Sequence, residues 1–355
     1  MKILITGNMG YIGLVVIKRL RQSYPNATLV GLDIGYFAHC LTQPEFLPET
    51  MLDIQYFQDV RTLTADLLEG VDAIVHLAAI SNDPMGNQYE AVTEEINYRA
   101  SVRLAQIAKE AGVSRFVFAS SCSVYGFADD EARTEQSTLN PLTAYARSKL
   151  ATEQELKELA SPDFVVTCLR FATACGASDR LRLDLVLNDF VAGAVAEKKI
   201  TVMSDGTPWR PLIAVPDMAK AMDWAISRSL DKGGAYLAVN AGSNNWNYQV
   251  RDLATTVAQV IPGTDVFINE NAPPDKRSYR VNFDLFNKLV AAEYQPECDL
   301  ISVIGQLKDK LDSMGFDDIH FRSSSLMRLN VLTHLKKLGY LTDNLEWSVN
   351  RFSKN

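Results

Sequence analysis

A chain of 355 residues is long enough for two lobes and too short for three ordinary domains. Its 43 acidic against 35 basic side chains leave a net charge of −8, which offers no attraction to nucleic acid or to an anionic membrane surface. No run of about 18 apolar residues occurs, so no membrane-spanning helix is expected.

Residues 2–6 pass straight into a strand and a glycine turn without a signal-peptide pattern. The five cysteines are scattered and the four histidines show no metal-ligand spacing. A reduced, metal-free, cytoplasmic protein is the expectation. In chain order, strands are expected at 3–6, 28–33, 55–58, 73–76, 116–120 and 165–170. Most are continuously apolar, as in strands covered on both faces of a parallel sheet. Helices are expected between them, at 12–23, 92–111 and 144–159. This repetition predicts an α/β fold with a doubly wound parallel Rossmann sheet. Beyond residue 171 the pattern is less regular. Asp205-Gly206-Thr207-Pro208 reads as a turn and Ala272-Pro273-Pro274-Asp275 as a loop. Helices at 300–314 and 325–338 are expected to cap a smaller lobe interleaved with the first.

Gly7-Asn8-Met9-Gly10-Tyr11-Ile12-Gly13 follows the first strand and opens the first helix, the context a dinucleotide-binding turn needs. Gly7, Gly10 and Gly13 let the backbone turn sharply and approach a pyrophosphate, whose charge is met by amides at the helix start beside Tyr11 and Ile12. Asp33 comes about 20 residues later, where an acid bonds the ribose hydroxyls of NAD and repels the extra phosphate of NADP. No arginine follows in Ile34-Gly35-Tyr36, so NAD is the expected cofactor. Asp59 and Val60 are assigned to the adenine edge, and Leu77, Ala78 and Ala79 to the passage of the dinucleotide backbone. His76 reads as a structural histidine. Asn97 either fixes backbone near the site or faces solvent.

Tyr145-Ala146-Arg147-Ser148-Lys149 puts a phenol and an ammonium one helical turn apart. A tyrosine with a pKa of ~10 is a poor base, and a neighbouring ammonium favours its phenolate. The motif opens the helix after the fifth strand, which ends in Ser120-Ser121-Cys122-Ser123 at the sheet edge where such folds bind ligands. Ser121 is placed to bond the same substrate oxygen as Tyr145, so that the pair steadies charge on a hydroxyl becoming a carbonyl. Cys122 and Ser123 border the substrate, although Cys122 has no charged partner to activate its thiol and packing is its simplest role.

These segments resemble the extended short-chain dehydrogenase/reductase family, in the UDP-glucose 4-epimerase-like branch that acts on nucleotide-diphosphate sugars. The resemblance spans roughly residues 1–290 and rests on residues 6–13, Asp33, Asp59, His76-Leu77-Ala78-Ala79, residues 120–126, Tyr145 and Lys149. Residues 169–176 and Gly206-Thr207-Pro208-Trp209-Arg210-Pro211 fall where that family has its substrate segments. It implies an NAD-binding domain over 1–170 with a returning segment near 210–245. Residues 171–355 then form mainly a substrate-binding domain with an extended carboxyl-terminal tail. It also implies a nucleotide-diphosphate-sugar substrate and a homodimer built on a four-helix bundle. Ser121, Tyr145 and Lys149 become the catalytic triad by this similarity. Arg210 and Arg277 fall where family arginines hold the diphosphate or nucleoside, a task suited to a guanidinium fork. Asn188 is assigned as a donor to a phosphate oxygen, and Thr173 stands where many epimerases have asparagine.

Three reactions compete. An epimerase oxidises a sugar hydroxyl to a ketone and reduces it from the other face, regenerating NAD each cycle. A ketoreductase or dehydrogenase consumes cofactor, and a dehydratase needs an additional acid. Asp33 disfavours an NADPH-fed reductase. Cys122 and Ser123 stand where sugar dehydratases carry an acidic pair. Epimerisation at C4 therefore leads, ahead of redox or lyase chemistry, and intact Ser121, Tyr145 and Lys149 disfavour a non-catalytic NAD-binding scaffold. The tail after about residue 299 reads as a lid or an oligomer contact.

Overall fold

Continuously apolar strands need cover on both faces, and the computed structural model, which describes residues 1–127, 131–272 and 278–348, provides it. The first half runs β1 (Lys2–Thr6), α1 (Gly13–Ser23), β2 (Thr28–Asp33), β3 (Ile54–Phe57), β4 (Ala73–His76), α2 (Asp83–Gln88) and α3 (Glu90–Glu94). It continues through α4 (Ser101–Glu110), β5 (Arg115–Ser121), α5 (Ala144–Leu159) and β6 (Val165–Phe171). The second half begins with β7 (Thr173–Cys175), α6 (Val186–Ala196), β8 (Lys199–Val202), β9 (Trp209–Ala214), α7 (Val215–Ser227) and β10 (Tyr236–Ala241). It ends with β11 (Asn247–Gln249), α8 (Val250–Val260), β12 (Asp265–Ile268), α9 (Asp284–Leu289), α10 (Leu300–Ser313) and α11 (Arg328–Lys337).

A sheet of 7 parallel strands has the order β10-β6-β5-β4-β1-β2-β3. The expected doubly wound α/β architecture holds. Ile3 and Ile5 join one apolar layer and Leu4 the other, all three fully buried. Strand order reverses between β1 and β4, so a ligand crevice opens at the carboxyl ends of those strands.

The long helix expected at 92–111 is interrupted. A π-helical turn, Glu95–Ala100, separates α3 from α4 and carries Asn97 inward. The Asn97 amide clamps the backbone of Ile80, accepting from its N–H at 2.8 Å and donating to its carbonyl at 2.9 Å.

In the second lobe, β11, β9 and β7 form one small sheet and β12 with β8 another. Helices α6, α8 and α10 pack on one another beside them. Between these parts, α7 returns to lie on α1 and β10 extends the main sheet. The late helices part company. Helix α10 covers the second lobe, but α11 and the segment after it cross to the first. There Leu332, Leu341 and Leu345 are buried with Val30, Leu32 and Tyr36, which gives their apolar surface the cover it lacks elsewhere. Among the described residues no helix is long and apolar enough to cross a membrane.

Candidate active site

At the end of β1 the chain must turn hard against the loop after β4. Gly7 has φ +71°, and a Cβ there would sit 2.6 Å from the amide nitrogen of Ala78. A Cβ on Gly13 would meet the Asn8 carbonyl oxygen at 2.3 Å, so both positions admit glycine alone. The resulting cradle, with Gly10, Tyr11 and Ile12, lines a cleft of about 460 Å³. Asp33, Asp59, Val60, Leu77, Ala78 and Ala79 share that cleft.

The Asp33 carboxylate is fixed at the end of β2 by the N–H groups of Met9 (3.0 Å) and Gly35 (2.7 Å). Burial pushes its pKa up, while these bonds and the Arg180 charge oppose the rise. Two donors leave acceptor capacity on the carboxylate for a ribose diol. Asp59 accepts from the Arg61 side chain at 2.6 Å and from its backbone N–H at 2.9 Å, which shapes the adjacent wall. A cradle closed to any Cβ and an anchored acid about 20 residues beyond it fit a dinucleotide of the NAD type.

The other end of the cleft is built by α5 and the end of β5. Thr143 caps α5, accepting from the Ala146 N–H at 3.1 Å and donating to Asp83 at 2.7 Å. The helix then presents Tyr145 and Lys149 to the same cleft. Ser121 shares a hydrogen bond with the Tyr145 phenol and accepts from the Ser123 N–H at 3.1 Å. Burial pushes the phenol up to about 12, opposed by the Ser121 bond and the Arg182 charge and reinforced by Asp83. Lys149 is 3% exposed, and burial pulls its ammonium down to about 7 against the pull of Glu153. Burial thus opposes the ammonium that the sequence placed beside the phenol.

Ser123, Thr173 and Arg210 also line the cleft, and Arg210 Nη1 donates to the Trp209 carbonyl at 2.9 Å. Arg277 and most of the loop read at 272–275 lie outside the described residues. Two assignments change. Asn188 is fully buried. Its amide donates to the Tyr11 hydroxyl (3.1 Å) and the Arg182 carbonyl (2.8 Å) and accepts from the Gly176 N–H (3.0 Å), so it braces the wall and has no donor left for a phosphate. Cys122 is sealed behind the wall with Sγ 3.1 Å from the Arg170 carbonyl, and burial pushes its thiol up. Asn97 supports the cleft through Ile80 without lining it. His76 is held between the hydroxyls of Thr6 (2.6 Å) and Ser101 (2.7 Å), and burial lowers it to about 3, which keeps it neutral and structural.

Sequence reasoning missed several lining residues, among them Asp83, Arg182, Asp184, Tyr279 and Arg328. Arg182 grips Asp184 through Nε (2.9 Å) and Nη2 (3.0 Å) and donates to Ser81 at 2.9 Å. Its signal was a polar pair set in the apolar run 181–187. Arg328 carried no local signal at all. Among the described residues no group of three or more His, Cys, Asp or Glu is arranged to hold a metal.

The sequence model of the NAD dependent epimerase/dehydratase family matches residues 3–242. The chain is 32% identical over 240 residues to YtcB of Bacillus subtilis (strain 168), an uncharacterized UDP-glucose epimerase, covering 64% of this chain and 73% of that protein. It is 26% identical over 286 residues to UDP-glucuronic acid decarboxylase 6 of Arabidopsis thaliana, covering 78% and 79%. The fold matches the UDP-glucuronic acid 4-epimerase of Bacillus cereus, solved with UDP-glucuronic acid and NAD, with a TM-score of 0.73 at 21% identity over 88% of this chain and 100% of that one. It also matches TunA, an NAD-dependent NDP-hexosamine 5,6-dehydratase, with a TM-score of 0.76 at 23% identity over 89% and 99%. Since the family match takes in every strand of the main sheet, from β1 to β10, this chain belongs to the NAD dependent epimerase/dehydratase family and is an enzyme that uses NAD.

Proposed function

We propose that this enzyme epimerises a UDP-sugar at C4 through a transient ketone. The observation that carries the reading is the Tyr145 phenol, bonded to Ser121, opening into the same cleft as the glycine cradle and Asp33. When bound, NAD supplies reversible two-electron oxidation of a carbinol. In its phenolate form Tyr145 takes the proton of the sugar hydroxyl, and as the phenol it returns that proton when the ketone is reduced, while Ser121 steadies that oxygen. Lys149, buried beside the phenol with a pKa near 7, exchanges a proton in the working range. Arg210 meets the substrate diphosphate, with Ser123 and Thr173 nearer the sugar. The uridine nucleotide is supported by the names of the relatives above. The reading includes a homodimer paired through α4 and α5, which pack side by side on one face of the sheet.

One feature favours a second reading. Cys122 and Ser123 offer no carboxylate, but Asp83 reaches the cleft from α2 and acts electrostatically on Tyr145. That is a candidate acid for eliminating water.

Incubating the purified enzyme with UDP-glucose, UDP-galactose, UDP-glucuronic acid and UDP-N-acetylglucosamine, read by NMR and mass spectrometry, decides between them. A C4 epimer of unchanged mass, formed without consumption of added NAD, is the expected result. Loss of water identifies a dehydratase, loss of carbon dioxide a decarboxylase, and net reduction of added NAD a dehydrogenase.

A further inference from the structure

The carboxyl-terminal tail, beyond the family match, reaches the cleft. Residues 325–328 run between two loops that border it. On one side the Leu183 N–H donates to the Leu326 carbonyl at 3.0 Å, and on the other Cys40 Sγ lies 3.7 Å from the Ser325 carbonyl. The two loops are themselves tied, Thr42 N–H to the Asp179 carbonyl at 2.8 Å.

From this junction Arg328 contributes to the lining of the cleft while remaining 1% exposed. Its Nη2 donates to the carbonyls of Arg180 (2.8 Å) and Leu181 (3.0 Å), and Nη1 to the Ser325 carbonyl (3.0 Å). Among the described residues no carboxylate forms an ion pair with it. Asp184, whose charge acts on it, is already gripped by Arg182. Carbonyls satisfy the N–H groups without neutralising the charge, and a desolvated cation lacking a counter-ion is costly. A cation so placed is matched by an anion entering the cleft.

We infer that Arg328 is a cofactor-binding residue that meets the pyrophosphate of the dinucleotide from the tail side of the cleft. The surroundings favour the cofactor over the substrate as the source of that diphosphate. The guanidinium lies 5.2 Å from the ring centroid of Phe37, on the loop that follows Asp33. The tail then follows the adenosine side of the crevice. Tyr36 hydroxyl donates to the Leu345 carbonyl, Trp347 Nε1 to the Ile34 carbonyl (2.7 Å), and Arg61 Nη1 to the Asn344 carbonyl (2.8 Å). Burial, with the neighbouring Arg182 and Arg180, also pulls the guanidinium down to about 10. The inference rests on NAD as cofactor and not on which reaction follows.

Calorimetric titration of NAD-stripped, full-length protein tests it, with NAD and, separately, the tightest binder among UDP, dTDP, GDP and CDP. Arg328→Gln is expected to weaken NAD binding about tenfold to a hundredfold while nucleoside-diphosphate affinity moves less than about twofold. Co-purified NAD per chain falls in parallel. Arg328→Lys keeps part of the affinity, and Trp347→Ala speeds NAD dissociation by loosening the tail. Should Arg328→Gln fail to fold, as judged by circular dichroism, these two variants carry the test. Wild-type NAD affinity in the folded variants, or equal losses for NAD and nucleoside diphosphate, overturns the inference. A wild-type protein that binds no NAD overturns the cofactor assignment itself.

Discussion

Lys149 holds its ammonium 5.7 Å from the centre of the Tyr145 ring and 4.6 Å from that of Phe118, in a fully buried setting. Burial lowers its pKa from 10.5 to about 7. Below about pH 7 both the folded and the unfolded chain carry this proton, and the folded form bears the whole cost of the buried charge. Between about 7 and 10.5 the unfolded chain holds more of the proton, so stability rises with pH until the cost is gone. Lys149→Met is therefore predicted to raise Tm at pH 6 by on the order of 2 °C or more. That advantage should shrink toward pH 10, while kcat falls by at least about a hundredfold. Thermal melts across the pH range check this, and an unchanged Tm at pH 6 would remove the buried charge from the account.

Tyr145→Phe removes the only hydroxyl on that ring and the proton it exchanges. Turnover is expected to fall several hundred-fold or more, the usual scale for a general acid–base group. NAD bound per chain should stay as in the wild type, because the ring itself still fills its place. Near wild-type turnover would transfer the acid–base role elsewhere.

Asp33 both faces the cleft and ties the Met9 and Gly35 amides. Asp33→Ala should erode the preference for NAD over NADP by roughly tenfold or more, since repulsion of the 2′-phosphate is lost. Two amides also lose a charged acceptor, so stability should drop by about 1–3 kcal/mol per bond at most. Titration with both dinucleotides, alongside urea melts, separates the two effects. Unchanged selectivity would assign the discrimination to another group.

Gly86 in α2 lies against the catalytic helix. A Cβ there would come 3.3 Å from the Tyr145 backbone nitrogen and 3.4 Å from its Cβ. Gly86→Val is predicted to displace the phenol and cut kcat about tenfold or more, with NAD content retained, because small misplacements of a reacting group are expensive in rate. Gly86→Ala should do less. Full activity in the valine variant would show that α2 yields instead of α5.

Six of the 7 strands of the main sheet were legible, most of them because parallel strands buried on both faces leave unbroken apolar runs, and each falls within about two residues of its place, whereas β10 was missed. Tyr145 and Lys149 were legible because one helical turn fixes their shared face. The second lobe was not, since β7 and β11 span 3 residues each and lie partly exposed, too short for a period to register. Asn188 misled for a related reason: a polar residue in an apolar helix looks like a ligand contact until Tyr11, far away in sequence, is seen to take its amide. Asp83, Arg182 and Arg328 come from three separate segments, and only the folded chain assembles them.

The course of the last segment also limits how this enzyme can be recombined. A chimera joined near residue 242, where the family match ends, would draw a foreign tail across the native loop after β2. An exchange with a relative that keeps these contacts takes an internal cassette, such as residues 173–214, with residues 325–347 left native. The two halves of the sequence are not two interchangeable modules.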